Sequence, residues 1–214
     1  MAAVRTLLQL QDAMDQELAW RIKEVGTFRV ESAKGGQKSK AFTRAGVALL
    51  YAHWEGFVKR SAELYLEYVS NRGLKYEELM SCFIVFGLKG KLNTLVASRK
   101  STPNIEAIEF IRGSLGDLAA LKMAGAVNTE SNLSSSVFEN IAKSVGVSTT
   151  PYETKFNLID SSLVGRRNKI AHGEFLDLKS GDFGPLVEEV LDLIRLFKND
   201  LLNAAATEAY KKIA

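Results

Sequence analysis

Cysteine is nearly absent from this chain, with Cys82 alone among 214 residues. One thiol forms no intrachain disulfide and no cysteine-rich metal site, which excludes a disulfide-stapled scaffold and a zinc module. Histidine is almost as scarce, at two residues. No set of His, Cys and carboxylate residues has metal-ligand spacing, so no metal and no cofactor are expected. Only three prolines interrupt the chain, which leaves long stretches free to be helical. No apolar run is long enough to span a bilayer and the N-terminus lacks a signal-peptide core. The expectation is a protein without membrane contact in the reducing cytoplasm. Charge of one sign is also in short supply: the net charge is +3 and the pI near 8.9, which suits an anionic partner without demanding one.

What is present is apolar periodicity. Hydrophobic residues make up 46% of the chain, enough for a substantial core. Val4, Leu7, Leu8, Met14, Leu18, Ile22 and Val25 recur at three- and four-residue steps, predicting a helix over 2–25. Residues 32–40, with Gly35-Gly36 and Lys34, Lys38 and Lys40, read as a flexible basic connector, solvated or touching an anionic ligand. A second long helix is predicted over 41–71, with Leu50, Trp54, Phe57, Val58 and Tyr65 on one face and Gly73 at its end. Within it, His53 falls near the apolar side and reads as a hydrogen-bonded core histidine. Glu55 lies off that face, either tuning a neighbouring cation or facing solvent.

A third helix is expected over 76–97. Thr102-Pro103 then opens another, with Ile105, Ile108, Ile111, Leu115 and Leu118 as its apolar stripe. A polar connector covers 124–133, and a short helix runs over 134–145 with Ser136 and Glu139 spaced as a capping box. Helix resumes over 153–172, and a last helix occupies 185–213, opened by Pro185. No strand alternation and no internal repeat break this pattern. The fold class is therefore an all-α bundle.

The most informative stretch is Gly165-Arg166-Arg167-Asn168-Lys169-Ile170-Ala171-His172-Gly173, the last turns of an amphipathic helix closed by glycine. Asn168 and His172 are four residues apart and share one helical face. Arg167 points about 140° away from His172. Breaking RNA through its own 2′-hydroxyl needs a base, an acid and cations for the phosphorane. One copy supplies one histidine, the side chain suited to proton transfer near neutrality. Two copies across a two-fold axis supply two histidines and two arginines. The same pattern also suits basic residues complementing the negative end of a helix dipole.

Around that motif the chain resembles the HEPN superfamily of helical ribonucleases and toxins. Arg167, Asn168 and, after three positions, His172 match its Arg-polar-spacer-His signature, and Arg-Asn-Lys-Ile-Ala-His-Gly-Glu is typical wording. Residues 48–59, Ala-Leu-Leu-Tyr-Ala-His-Trp-Glu-Gly-Phe-Val-Lys, resemble the second helix of its standalone MAE-type branch, related to RiboL-PSP. Leu18-Ala19-Trp20-Arg21 resembles that branch's first helix. The resemblance implies one HEPN-like domain over 1–214, acting as a two-fold homodimer. It implies a metal-independent endoribonuclease that leaves a 2′,3′-cyclic phosphate and a 5′-hydroxyl, serving as a toxin or anti-phage effector. RNA and an antitoxin or neighbouring defence protein would be its partners. Carried over by position, Arg167, Asn168 and His172 are catalytic. Arg166, Lys169 and Glu55 are substrate-binding or supporting residues. The alternative is a catalytically silent HEPN module that binds RNA, a nucleotide or a protein partner. A third reading makes the chain a regulatory target, modified at Asn168 or at a nearby hydroxyl such as Tyr152.

Overall fold

A computed structural model describes residues 3–122, 125–179 and 181–212. Among them the chain is all-α: no β-strand forms, and extended pairing is limited to isolated bridges at Lys75–Leu118 and Leu79–Lys211. The helices are α1 (Leu7–Ala33), α2 (Gly36–Ser70), α3 (Ser81–Ala97), α4 (Ser101–Ser114), α5 (Ser135–Ser144), α6 (Arg166–Ala171) and α7 (Phe183–Ala206). A 3-10 turn occupies Tyr76–Glu78, another Thr150–Lys155, and a π-helical segment Leu158–Gly165. No helix among the described residues is long and apolar enough to cross a membrane.

The spine is α2, 35 residues long and so about 50 Å at 1.5 Å per residue. Helices α1 and α7 pack along it and against each other. Its buried positions, Val47, Leu50, Tyr51, Trp54, Phe57, Val58, Ala62 and Tyr65 among them, recur at three- and four-residue steps. An aromatic cluster then fastens three further segments to it. Phe138 of α5 lies 5.2 Å from Trp54, 4.8 Å from Tyr152 and 5.4 Å from Phe197 of α7, ring centre to ring centre. Offset and edge contacts of this kind exceed simple area burial by about 0.5–1.5 kcal/mol each.

Several expected boundaries are corrected. The first helix runs on to Ala33 rather than stopping at 25, and α2 begins at Gly36 rather than 41, so the basic connector over 32–40 is almost wholly helical. Only Lys34 and Gly35 turn the chain, Gly35 at φ +78°. Lys38 and Lys40 thus sit on the opening turns of α2. The face of α1 that is buried is Leu10, Met14, Leu18, Arg21 and Val25, while Leu7, Leu8 and Ile22 stay outside. Thr6 and Gln9 close α1 with a capping box. The helix expected over 76–97 breaks into the 3-10 turn and α3.

In α4 the predicted stripe is on the wrong side. Ile105, Ile108, Leu115 and Leu118 are exposed, and Ala107 and Ser114 are buried, because this helix packs chiefly on α3 and small residues permit that approach. Helix α5 is capped by Ser134, not by a Ser136–Glu139 box. The Asp160 carboxylate adds a second cap, accepting from the Ser135 amide at 2.7 Å and its hydroxyl at 2.6 Å. The helix expected over 153–172 is three pieces of different pitch, and that over 185–213 spans Phe183–Ala206 before the chain turns back along Glu78–Met80. The predicted ends at Ala2 and Ile213 and Ala124 of the connector lie outside the described residues.

His53 is a core histidine, 4% exposed, edge-on to Trp20 at 5.1 Å. Its Nε2 lies 3.0 Å from a Glu24 carboxylate oxygen, yet the two are not aligned as a hydrogen bond. Burial lowers its pKa from the ordinary 6.5, against the pull of Glu24 and with a smaller push from Arg21. The unfolded chain therefore takes up this proton first as pH falls. Stability is expected to drop as pH falls below 6.5, and His53→Gln to flatten that slope. Urea midpoints at pH 5 and pH 7 check this; equal slopes in the two proteins would contradict it.

Candidate active site

The glycine-closed stretch forms the end of a helical run in two geometries. In the π-helical segment the wider turn brings the Asp160 carbonyl over Gly165, where a Cβ would sit 3.1 Å from that oxygen. Such π turns are short, costly and frequent at functional sites. The chain then tightens into α6. Gly173 takes φ +74°, and its amide bonds the Ile170 carbonyl at 3.1 Å while the Glu174 amide bonds that of Lys169 at 2.9 Å. This paired closure is a Schellman motif, and it needs a residue at ease with positive φ. His172 is its cap residue, with the side chain exposed.

Arg167 is the best-defined group of the site. Its guanidinium lies 4.1 Å from the centre of the Tyr51 ring, a cation–π stack. One terminal nitrogen donates to the Ser131 carbonyl at 2.9 Å and to Asn132 Oδ1 at 3.1 Å. Its Nε is buried without a partner among the described residues. The Tyr51 hydroxyl in turn accepts from the Leu133 amide at 2.7 Å. Burial pushes the Tyr51 phenol above its ordinary range, opposed by the Leu133 amide and Arg167, with Glu55 adding to the rise. The phenol is neutral at physiological pH.

These groups border an open hollow of about 380 Å³, walled by Ala48, Tyr51, Glu55, Ser131, Arg167 and Ile170. Of the residues singled out from the sequence, the structure brings Arg167 and Glu55 together here. Glu55 is half-buried and makes no ion pair among the described residues. Arg166 and Asn168 are half-buried, and Lys169 and His172 exposed, and none of the four lines this hollow. The Asn168 carbonyl accepts the His172 amide at 2.9 Å, so their shared face is real on the backbone. Tyr152 is fully buried and donates to Asp200 at 2.5 Å, which removes it as an accessible modification target.

Four contributors escaped sequence reading. Tyr51 precedes Glu55 by four residues, the one signal that placed it on the same face. Ser131 and Asn132 come from a loop read only as polar. Arg44 donates to the Glu174 carbonyl at 3.0 Å and that of Leu176 at 3.2 Å, pinning the chain that leaves the site. Among the described residues no group of three or more His, Cys, Asp and Glu side chains is placed to hold a metal ion.

An all-α bundle whose glycine-closed helix end carries Arg167, Asn168 and His172 defines a HEPN-type module. The RiboL-PSP-HEPN family profile matches residues 16–203, and the chain belongs to that family. No curated protein and no solved structure matches it.

Tyr51→Phe keeps the ring beneath Arg167 but leaves the buried Leu133 amide without its acceptor, at a cost of about 1–3 kcal/mol. The expected result is faster amide exchange over 127–133 with helical circular dichroism unchanged. Unaltered protection in that loop would contradict the assignment.

Proposed function

We propose that the chain is an endoribonuclease that cuts RNA by attack of the 2′-hydroxyl on the adjacent phosphorus, at a composite site built from two copies. The observation that carries this reading is the fixed guanidinium of Arg167 at the rim of an open hollow, on the same short helix that ends in an exposed His172. A preorganised cation stabilises charge that develops on phosphorane oxygens without having to reorganise. In the step itself, one histidine takes the 2′-hydroxyl proton as the oxygen bonds to phosphorus. The bond from phosphorus to the 5′-oxygen breaks, and a second histidine protonates that oxygen. The products are a 2′,3′-cyclic phosphate and a 5′-hydroxyl.

The second histidine is the reason for a second copy. His172 of one chain lies off the wall that Arg167 occupies, and a two-fold pair supplies the missing acid. Asn168 orients the phosphate or the histidine, while Arg166, Lys169 and Glu55 contact substrate or support the site. A role as a toxin or anti-phage effector in the cytoplasm, beside an antitoxin or a defence partner, accords with the HEPN resemblance.

The second reading, a silent module that binds RNA, a nucleotide or a protein without cutting, is favoured by one observation. The guanidinium donates to Ser131 and Asn132 rather than into open space. RNA-end mapping after expression separates the two. The wild type is expected to generate cyclic-phosphate ends that persist in EDTA and vanish, by at least about 100-fold, in a folded His172→Ala variant. Equal cleavage by that variant, or a strict need for added Mg²⁺, would refute the mechanism.

A further inference from the structure

Immediately beyond Gly173 the chain runs as an extended strap along α2. Its residues alternate: Leu176 is half-buried, Leu178 is 6% exposed, and Phe175 and Asp177 face outward. Alternation of this kind is what an extended backbone imposes. The Phe175 ring is 88% exposed, more than any other aromatic side chain among the described residues. Its position is not slack, because the carbonyls on either side of it, Glu174 and Leu176, are both held by the Arg44 guanidinium. Turning the ring inward would withdraw Leu176 and Leu178 from their packing. A large apolar ring is thus held in water by an arginine.

The surroundings of that ring are concave and carry two cations, Lys40 and Arg44, beside the Asp177 carboxylate. A depression of about 320 Å³ lies between the strap and the first turns of α2, bordered by Gln37, Lys40, Arg44, Phe175 and Asp177. Arg44 has no carboxylate partner among the described residues, since both of its bonds go to carbonyl oxygens. Lys40 stands 3.7 Å from Asp177, with both side chains more than 60% exposed. A solvated pair of that kind contributes little and is easily exchanged for another anion.

We propose that Phe175, with Lys40 and Arg44, forms a subsite for an unpaired nucleotide of single-stranded RNA. The base stacks on the ring and the phosphate faces the cations. Sequence-tolerant recognition of single strands combines an aromatic platform with a basic track in this way. Phe175 is three Cα steps from His172, at most about 11 Å, so the subsite would take a nucleotide next to the scissile phosphate. A second copy of the chain is the less fitting occupant. One ring bordered by Gln37, Lys40, Glu174 and Asp177 is far smaller and more charged than the centre of a stable apolar interface. The inference rests on the ribonuclease reading and names the substrate feature that reading leaves open.

The test uses the 214-residue His172→Ala chain, expected to leave RNA intact, and a short single-stranded RNA carrying 2-aminopurine. Binding with quenched fluorescence is expected. Adding Phe175→Ala should weaken it by about 10-fold or more, and Phe175→Tyr should restore it. Lys40→Ala should lower the salt dependence of binding. Undiminished binding and quenching with Phe175→Ala would overturn the subsite while leaving the ribonuclease reading intact. Failure of the His172→Ala parent to bind any RNA would overturn both. A change from dimer to monomer with Phe175→Ala, read by light scattering, would assign the ring to a second copy and overturn the subsite.

Discussion

One contact organises the candidate site of this molecule: the guanidinium of Arg167 lying over the Tyr51 ring, with Ser131 and Asn132 as its acceptors. It joins the spine helix α2, the loop before α5 and the short helix α6 at one point. Its energetic yield is modest. A cation–π contact contributes about 0.5–2 kcal/mol and a bond from a charged donor about 1.5–3 kcal/mol. A buried, unpartnered Nε costs about 1–3 kcal/mol in return. The arrangement is therefore weak as a stabiliser and strong as a positioning device. A guanidinium held in this way has few other orientations open to it.

The backbone around it carries strain of the same order. Glu130 and Ser131 both sit at φ +55°, a region that costs a non-glycine residue about 1–2 kcal/mol. What holds them there is visible on either side. Leu133 is fully buried with its amide on the Tyr51 hydroxyl, and Ser135 begins α5 under the Asp160 carboxylate. Asp160 belongs to the π-helical segment, so the wide turn that leads into α6 also anchors the loop that receives Arg167. Loop and helix end are thus set by one another, and the aromatic cluster at Phe138 fixes both to the core.

Much of this was legible in the sequence. The all-α class followed from apolar periodicity, which depends on local spacing, and the family from the resemblance of the Arg-Asn…His wording and of residues 48–59. The C-terminal closure at Gly173 was legible because only a residue tolerant of positive φ ends a helix in that way. The rest depended on tertiary partners. Gly35-Gly36 looked like a linker, yet two residues suffice for an antiparallel helical turn and the lysines beyond it joined α2. The apolar stripe of α4 pointed outward because packing on α3 favoured Ala107 and Ser114. Nothing local marked the change of pitch at Leu158–Gly165. The partners of Arg167 were hidden because Ser131 and Asn132 lie 36 and 35 residues before it. Glu55 shares its hollow with a cation, but without the ion pair that tuning by direct contact would require.

If the fixed geometry of this guanidinium is what acts on phosphate, charge by itself will not replace it. Lysine keeps the charge but lacks the planar face that stacks on Tyr51 and fixes the direction of the N–H groups. The most direct measurement is the single-turnover rate of RNA cleavage by Arg167→Lys beside the wild type, with folding verified by circular dichroism. A loss of at least about 100-fold, worth about 2.7 kcal/mol of barrier, is expected. A lysine variant that cleaves at the wild-type rate would contradict the central role of a stacked, positioned arginine.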